Sequence, residues 1–136
     1  MSIKKFCFTI NNYLQAVEII NISKNNKIVP ILFINYYLAN RLGVDWIHEL
    51  RSMLKVDFKS KDFKIYVDAK KNYGLFINLI EKKINYVKIK ADNKTLIRLD
   101  QIAKLNKVLI NPSFSIVNLS NYKNKSKKLK KLYNKV

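Results

Sequence analysis

FKIYVDAKKNYGLFINLIEKKINYVKIKAD, residues 63–92, changes its hydrophobic period twice. Phe63, Ile65 and Val67 alternate with Lys64 and Tyr66, the period of two that a strand imposes. From Tyr73 to Lys83 the apolar positions Tyr73, Phe76, Ile77 and Ile80 lie along one stripe of a helix. Val87 and Ile89 then alternate with Tyr86, Lys88 and Lys90. Strand, helix and strand in this order form a βαβ unit, whose two strands run parallel.

The same rhythm extends in both directions. IKKFCFTI, KIVPILFI and KVLINP are β-type runs, which gives strands near residues 3–10, 28–34, 63–68, 86–91 and 107–111. Between them, Asn12 to about Lys24 carries Leu14, Ala16, Val17 and Ile20 at helical spacing, with Asn11 or Asn12 as the cap. Asn35–Asn40 suits a helical turn, Gly43 breaks it, and Asp45 is placed to cap a helix presenting Trp46, Leu50, Met53 and Leu54. Lys94 to about Lys104 presents Leu96, Leu99, Ile102 and Ala103, with Asp92 and Asn93 before it. FSIVNL, after Pro112, suits a sixth short strand or an extended segment. The fold expected is α/β: a single domain of about five βα-type repeats with a mainly parallel sheet and a basic C-terminal tail. Phe8, Leu32, Ile65, Val67, Ile77, Ile89 and Leu109 are its expected core.

A chain of 136 residues has room for one such domain. The domain is expected over residues 1–120 and a lysine-rich tail over residues 121–136. NYKNKSKKLKKLYNKV holds seven lysines and no acid, a composition expected to be disordered or frayed-helical when unbound. Lys and Arg total 27 against 9 Asp and Glu, a net charge of +18 that attracts polyanions. The same excess follows from a composition crowded with Ile, Asn, Lys, Tyr and Phe, as AT-rich codons produce.

Several chemistries are excluded. Only Gly43 and Gly74 are present, too few for the glycine loops that let a backbone approach a phosphate, so no nucleotide cofactor is expected. His48 is the only histidine and Cys7 the only cysteine, which leaves no metal cluster, no triad and no internal disulfide. A lone cysteine in an apolar run suits a reducing cytoplasm or organelle matrix. The longest apolar run, IVPILFINYYL, is too short to span a bilayer.

Two sets of residues remain as candidate sites. The polar positions of the third and fourth strands, Lys64 and Tyr66 with Tyr86, Lys88 and Lys90, form a basic, aromatic face, which the tail lysines Lys123, Lys125, Lys127, Lys128, Lys130 and Lys131 extend. Parallel sheets also hold sites at the carboxyl ends of their strands. That rim carries Asn11 and Asn12, Asn35 and Tyr36, Asp68 with Lys70 and Lys71, Asp92 and Asn93, and Asn111. Asp68 suits both a helix cap and an acid/base partner of the two lysines.

NNYLQAVEII, IVPILFI and YVDAKKNYGLFINLIEKKINYVKIKAD resemble a group of small uncharacterised βα-repeat proteins of alphaproteobacteria, over residues 6 to about 112. The likeness is carried by strand, Asp, small-residue turn, Gly and helix over Val67–Leu79, and it implies the fold. Where that group tends to have a cysteine and small residues after the Asp, this chain has Ala69, Lys70 and Lys71.

The function expected is non-enzymatic binding of RNA, a ribonucleoprotein or another polyanion, with lysines on phosphates and Tyr66 and Tyr86 stacking on bases. The alternative is a small enzyme or ligand-binding domain like half of a (β/α)8 barrel, with its site around Asp68. A third reading makes KKLKKLY, with Leu129, Leu132 and Tyr133 on one side of a helix, a membrane-surface or partner-docking element.

Overall fold

The computed structural model describes residues 5–134. Six strands, β1 (Lys5–Thr9), β2 (Ile31–Ile34), β3 (Lys64–Asp68), β4 (Tyr86–Lys88), β5 (Leu109–Ile110) and β6 (Phe114–Val117), alternate with helices α1 (Tyr13–Asn25), α2 (Tyr36–Asp57), α3 (Tyr73–Glu81) and α4 (Asn93–Leu105). A last helix, α5 (Lys125–Asn134), follows β6. The expected strands are present and shorter than read. Residues 3 and 4 of the first lie outside the described residues.

All strand pairs are parallel, in the order β5-β4-β3-β2-β1-β6. β5 and β6 are therefore opposite edges of the sheet, yet only residues 111–113 separate them in the chain. Six flat strands put their edges about 24 Å apart, whereas the four residue steps from Ile110 to Phe114 reach roughly 14 Å. The sheet must curl into a half-barrel. Phe114 of β6 accordingly meets Tyr86 of β4 and Tyr66 of β3, with ring centroids 5.0 and 5.6 Å apart, across the hollow of the curl.

Curling gives the sheet two unequal faces. Phe6, Phe8, Leu32, Ile34, Ile65, Val67 and Val87 point to the convex side, where α1–α4 cover them with Ala16, Ile20, Ile47, Leu54, Phe76 and Leu79. The concave face holds a smaller cluster of Cys7, Ile31, Phe33 and Tyr66 with Tyr86 and Phe114, and no helical residue joins it. Of the expected core, Phe8, Leu32, Ile65, Val67 and Ile89 are buried. Ile77 is half-buried and packs against that core. Leu109 is 54% exposed, because its register with Tyr86 turns it to the helix-free side and Val108 takes the core position.

Each helix begins on an Asx side chain. Asn12, Asn35, Asn72 and Asp92 accept the backbone N–H of Gln15, Leu38, Leu75 and Thr95, satisfying donors that a helix start leaves unpaired. Asp45 accepts no such bond; α2 is instead broken at Gly43, whose φ of 85° favours glycine. Three helices end alike. Lys27, Lys83 and Lys107 adopt positive φ after α1, α3 and α4, and the next residues, Ile28, Ile84 and Val108, donate back to Ser23, Leu79 and Ala103. This is the Schellman stop, with lysine where glycine is usual.

The lysine-rich segment is not a solvated tail. Leu129 of α5 is fully buried, Tyr133 packs its ring 5.6 Å from that of Phe6, and Lys125 pairs with Glu18 of α1 at 2.7 Å. The apolar spacing of Leu129, Leu132 and Tyr133 outweighs the charge around it, because burying a leucine is worth more than the solvation of lysines whose heads stay outside.

Leu129→Ala is expected to cost about 2–5 kcal/mol in denaturant melts, where a free tail costs nothing. Replacing Lys27, Lys83 and Lys107 together by glycine relieves three left-handed residues at roughly 1–2 kcal/mol each and loses roughly 0.4–1 each in unfolded-chain entropy. The triple variant is expected to gain about 2 kcal/mol, and a lower melting midpoint would contradict it.

Candidate functional site

The largest cavity of the described residues, about 650 Å³, opens at the carboxyl ends of β3 and β4. Tyr36, Asp68, Lys70, Lys71, Asn72, Lys88 and Lys90 line it. Three of its walls follow from backbone pairing. Asp68 stands opposite Lys88 in the parallel register, so their side chains rise on the same face. Beyond the strands the ladder continues, with Ala69 donating to the Lys88 carbonyl at 2.8 Å and Lys90 to the Lys70 carbonyl at 2.7 Å. These bonds tie the loop after β3 to the loop after β4 and hold four lysines around one mouth.

Asp68 is not the cap of α3. Asn72, four residues on, takes that role, and Asp68 Oδ1 accepts the N–H of Lys70 at 2.9 Å in a tight turn where Lys70 has φ 48°. Sequence alone does not separate the two, because both are short Asx acceptors before the same helix. No ion pair within 4 Å involves Asp68 among the described residues. Lys70 is held by aromatic faces instead: its Nζ lies 4.3 Å from the Tyr37 ring centroid and 5.2 Å from that of Tyr36. Asn72 donates to Asn40 at 3.2 Å, which braces this edge against α2.

Other rim residues are committed elsewhere. Asn35 and Asp92 cap α2 and α4, and the bond from Thr95 N–H holds the Asp92 carboxyl below its ordinary range. Asn111 accepts the Ile89 N–H at 2.8 Å and so pins β5 to β4. Asn11 lies outside the cavity, its N–H donating to Gln15. The polar face read from β3 and β4 is brought into contact with the rim, since Lys88 and Lys90 belong to both.

A second cavity, about 350 Å³, shares those two lysines. Its other walls are Tyr66, Ile89, Ala91, Leu96, Asn111, Pro112, Phe114 and Ile116. Its contribution from β6 escaped the sequence reading, because the curl that carries Phe114 and Ile116 over β4 is set by non-local pairing. Tyr66 is only 4% exposed and is enclosed by Phe33, Tyr86 and Phe114, which leaves no open ring face for a base. Lys64 lies at the opposite end of β3, its Nζ 3.4 Å from the Tyr86 hydroxyl.

Of the α5 region lysines, Lys123, Lys127, Lys130 and Lys131 are exposed, Lys125 is paired with Glu18, and Lys128 covers the Tyr122 ring at 4.7 Å. His48 sits on α2, its Nδ1 3.4 Å from Arg51, whose guanidinium donates to the carbonyls of Lys82 and Lys83 after α3. Among the described residues there is no cluster of three metal-ligating side chains and no helix long and apolar enough to cross a membrane. Comparisons with protein-family models, curated proteins and solved structures find no match.

Beneath the cavities, burial pushes the Cys7 thiol and the Tyr66 phenol up to about 12 each. Folding therefore favours their protonated forms, and the stability this lends is complete below pH 9 and lost as pH rises toward 12. Cys7 is expected to resist a water-soluble disulfide reagent at pH 8 in the native protein and to react fully on denaturation. Prompt native reaction would place the thiol at the surface.

Proposed function

We propose that the protein binds a small phosphorylated ligand in the lysine basin at the carboxyl ends of β3 and β4, as a half-barrel binding domain. The observation that carries this is the composition of the largest cavity: Lys70, Lys71, Lys88 and Lys90 face a single carboxylate, Asp68. A phosphate dianion suits that excess of positive charge. The position also agrees with the general habit of parallel α/β sheets.

Magnitudes set the expected strength. The four lysines are exposed, so each contributes only about 1 kcal/mol at 4 Å in a water-like dielectric. Three or four such contacts correspond to dissociation constants near 1 mM, and the binding weakens steeply with salt. Asp68 adds one acceptor, suited to a ligand hydroxyl.

A second reading, contact with RNA or another polyanion, draws on the exposed Lys123 before α5 and Lys127, Lys130 and Lys131 along it. With Tyr66 enclosed, such contacts fall on phosphates and carry no base recognition.

Pyrophosphate titrated calorimetrically at low ionic strength is expected to bind with a millimolar or tighter dissociation constant. Lys88→Ala with Lys90→Ala weakens it at least about tenfold, and Lys127→Ala, Lys130→Ala and Lys131→Ala together change it less than twofold. RNA binding that the α5 variant abolishes, in a protein indifferent to pyrophosphate, reverses the assignment in favour of the polyanion reading.

A further inference from the structure

Two cavities that share a wall invite a ligand with two parts. Lys88 and Lys90 line both the 650 Å³ basin and the 350 Å³ cavity beside it. They lie two residues apart on one side of the chain, with Ile89 buried between them on the other. A lysine can serve two such spaces at once, since its methylene stem is apolar and its head is charged.

That neighbouring space is apolar in character. Ile89, Ala91, Leu96 at the start of α4, Pro112 in the link, and Phe114 and Ile116 on β6 form most of its lining. Ile116 is 51% exposed, although it stands on the concave face in register with the fully buried Cys7. A branched apolar side chain left open at the mouth of a hollow gains free energy from whatever covers it, at about 25 cal/mol for each Å² removed from water.

We infer that the ligand is an amphiphile: a phosphate monoester whose apolar body lies in the second cavity while its phosphate is held by Lys88, Lys90 and their neighbours. This rests on the anion-binding reading above and narrows it to one ligand class. A cavity of 350 Å³ accommodates roughly ten heavy atoms at about 30 Å³ each. An unbranched or lightly branched alkyl group fits this; a polymer backbone does not.

Calorimetric titration of the full chain with octyl phosphate, below its micelle concentration, and with inorganic phosphate tests the inference. Octyl phosphate is expected to bind at least about tenfold more tightly than inorganic phosphate. Ile116→Asn, which adds polarity without adding charge beside Lys88 and Lys90, reduces that advantage to less than about twofold. Should Ile116→Asn fail to fold, Ile116→Thr keeps the branched shape suited to a strand and moves the ratio in the same direction. Equal binding of the two phosphates, or an advantage that neither Ile116 variant diminishes, overturns the amphiphile and leaves the basin an anion site. Loss of binding for both ligands and for pyrophosphate overturns the basin itself.

Discussion

The short link between β5 and β6 governs the molecule. Three residues cannot join the edges of a flat six-stranded sheet, so the sheet rolls until those edges approach one another. Everything unusual about the concave face follows. Phe114 reaches across to Tyr66 and Tyr86, the hollow fills with aromatic rings, and β6 supplies one side of the second cavity. Asn111 serves the same constraint twice, adopting φ 50° to turn the chain and accepting the Ile89 N–H to hold β5 in place.

Much of the architecture could be read from the sequence because its determinants are local. The period change at residues 63–92 identifies strand and helix without reference to the rest of the chain, and parallel pairing follows from the βαβ order. The curl is different in kind, since it depends on which strand lies beside β1, and no periodicity encodes that. Leu109 illustrates the consequence: its hydrophobicity suggested a core residue, but at an edge strand on a helix-free face nothing packs over it.

The site was legible only in part. Asp68, Lys70 and Lys71 could be placed at a strand end from the sequence, and Lys88 and Lys90 on a common face; that these two groups share one cavity required the register of β3 with β4. Asn35, Asp92 and Asn111 have the same chemistry as ligand-binding groups, yet they are consumed by backbone N–H donors. In α5, Leu129, Leu132 and Tyr133 could be read as one side of a helix, but that this side packs against the domain at Phe6 and α1 could not. Lysine is so abundant here that it also occupies the left-handed positions where other chains place glycine, so a basic residue is in itself a poor marker of function. What distinguishes the basin is that four lysines converge on it.

The pairing of β6 with β1 also orders events in time. The two strands lie more than a hundred residues apart in the chain, the longest-range strand contact in the sheet and therefore the most costly loop to close. During synthesis β1 through β5 with their helices emerge first, and β1 keeps one edge unpaired until residues 114–117 leave the ribosome. Helix α5, which rests on α1 and on Phe6, follows immediately afterwards and covers the seam. Residues 114–134 thus act as a latch on the elements that precede them. Nascent chains stalled short of it carry an open strand edge, the form most exposed to pairing with a neighbour.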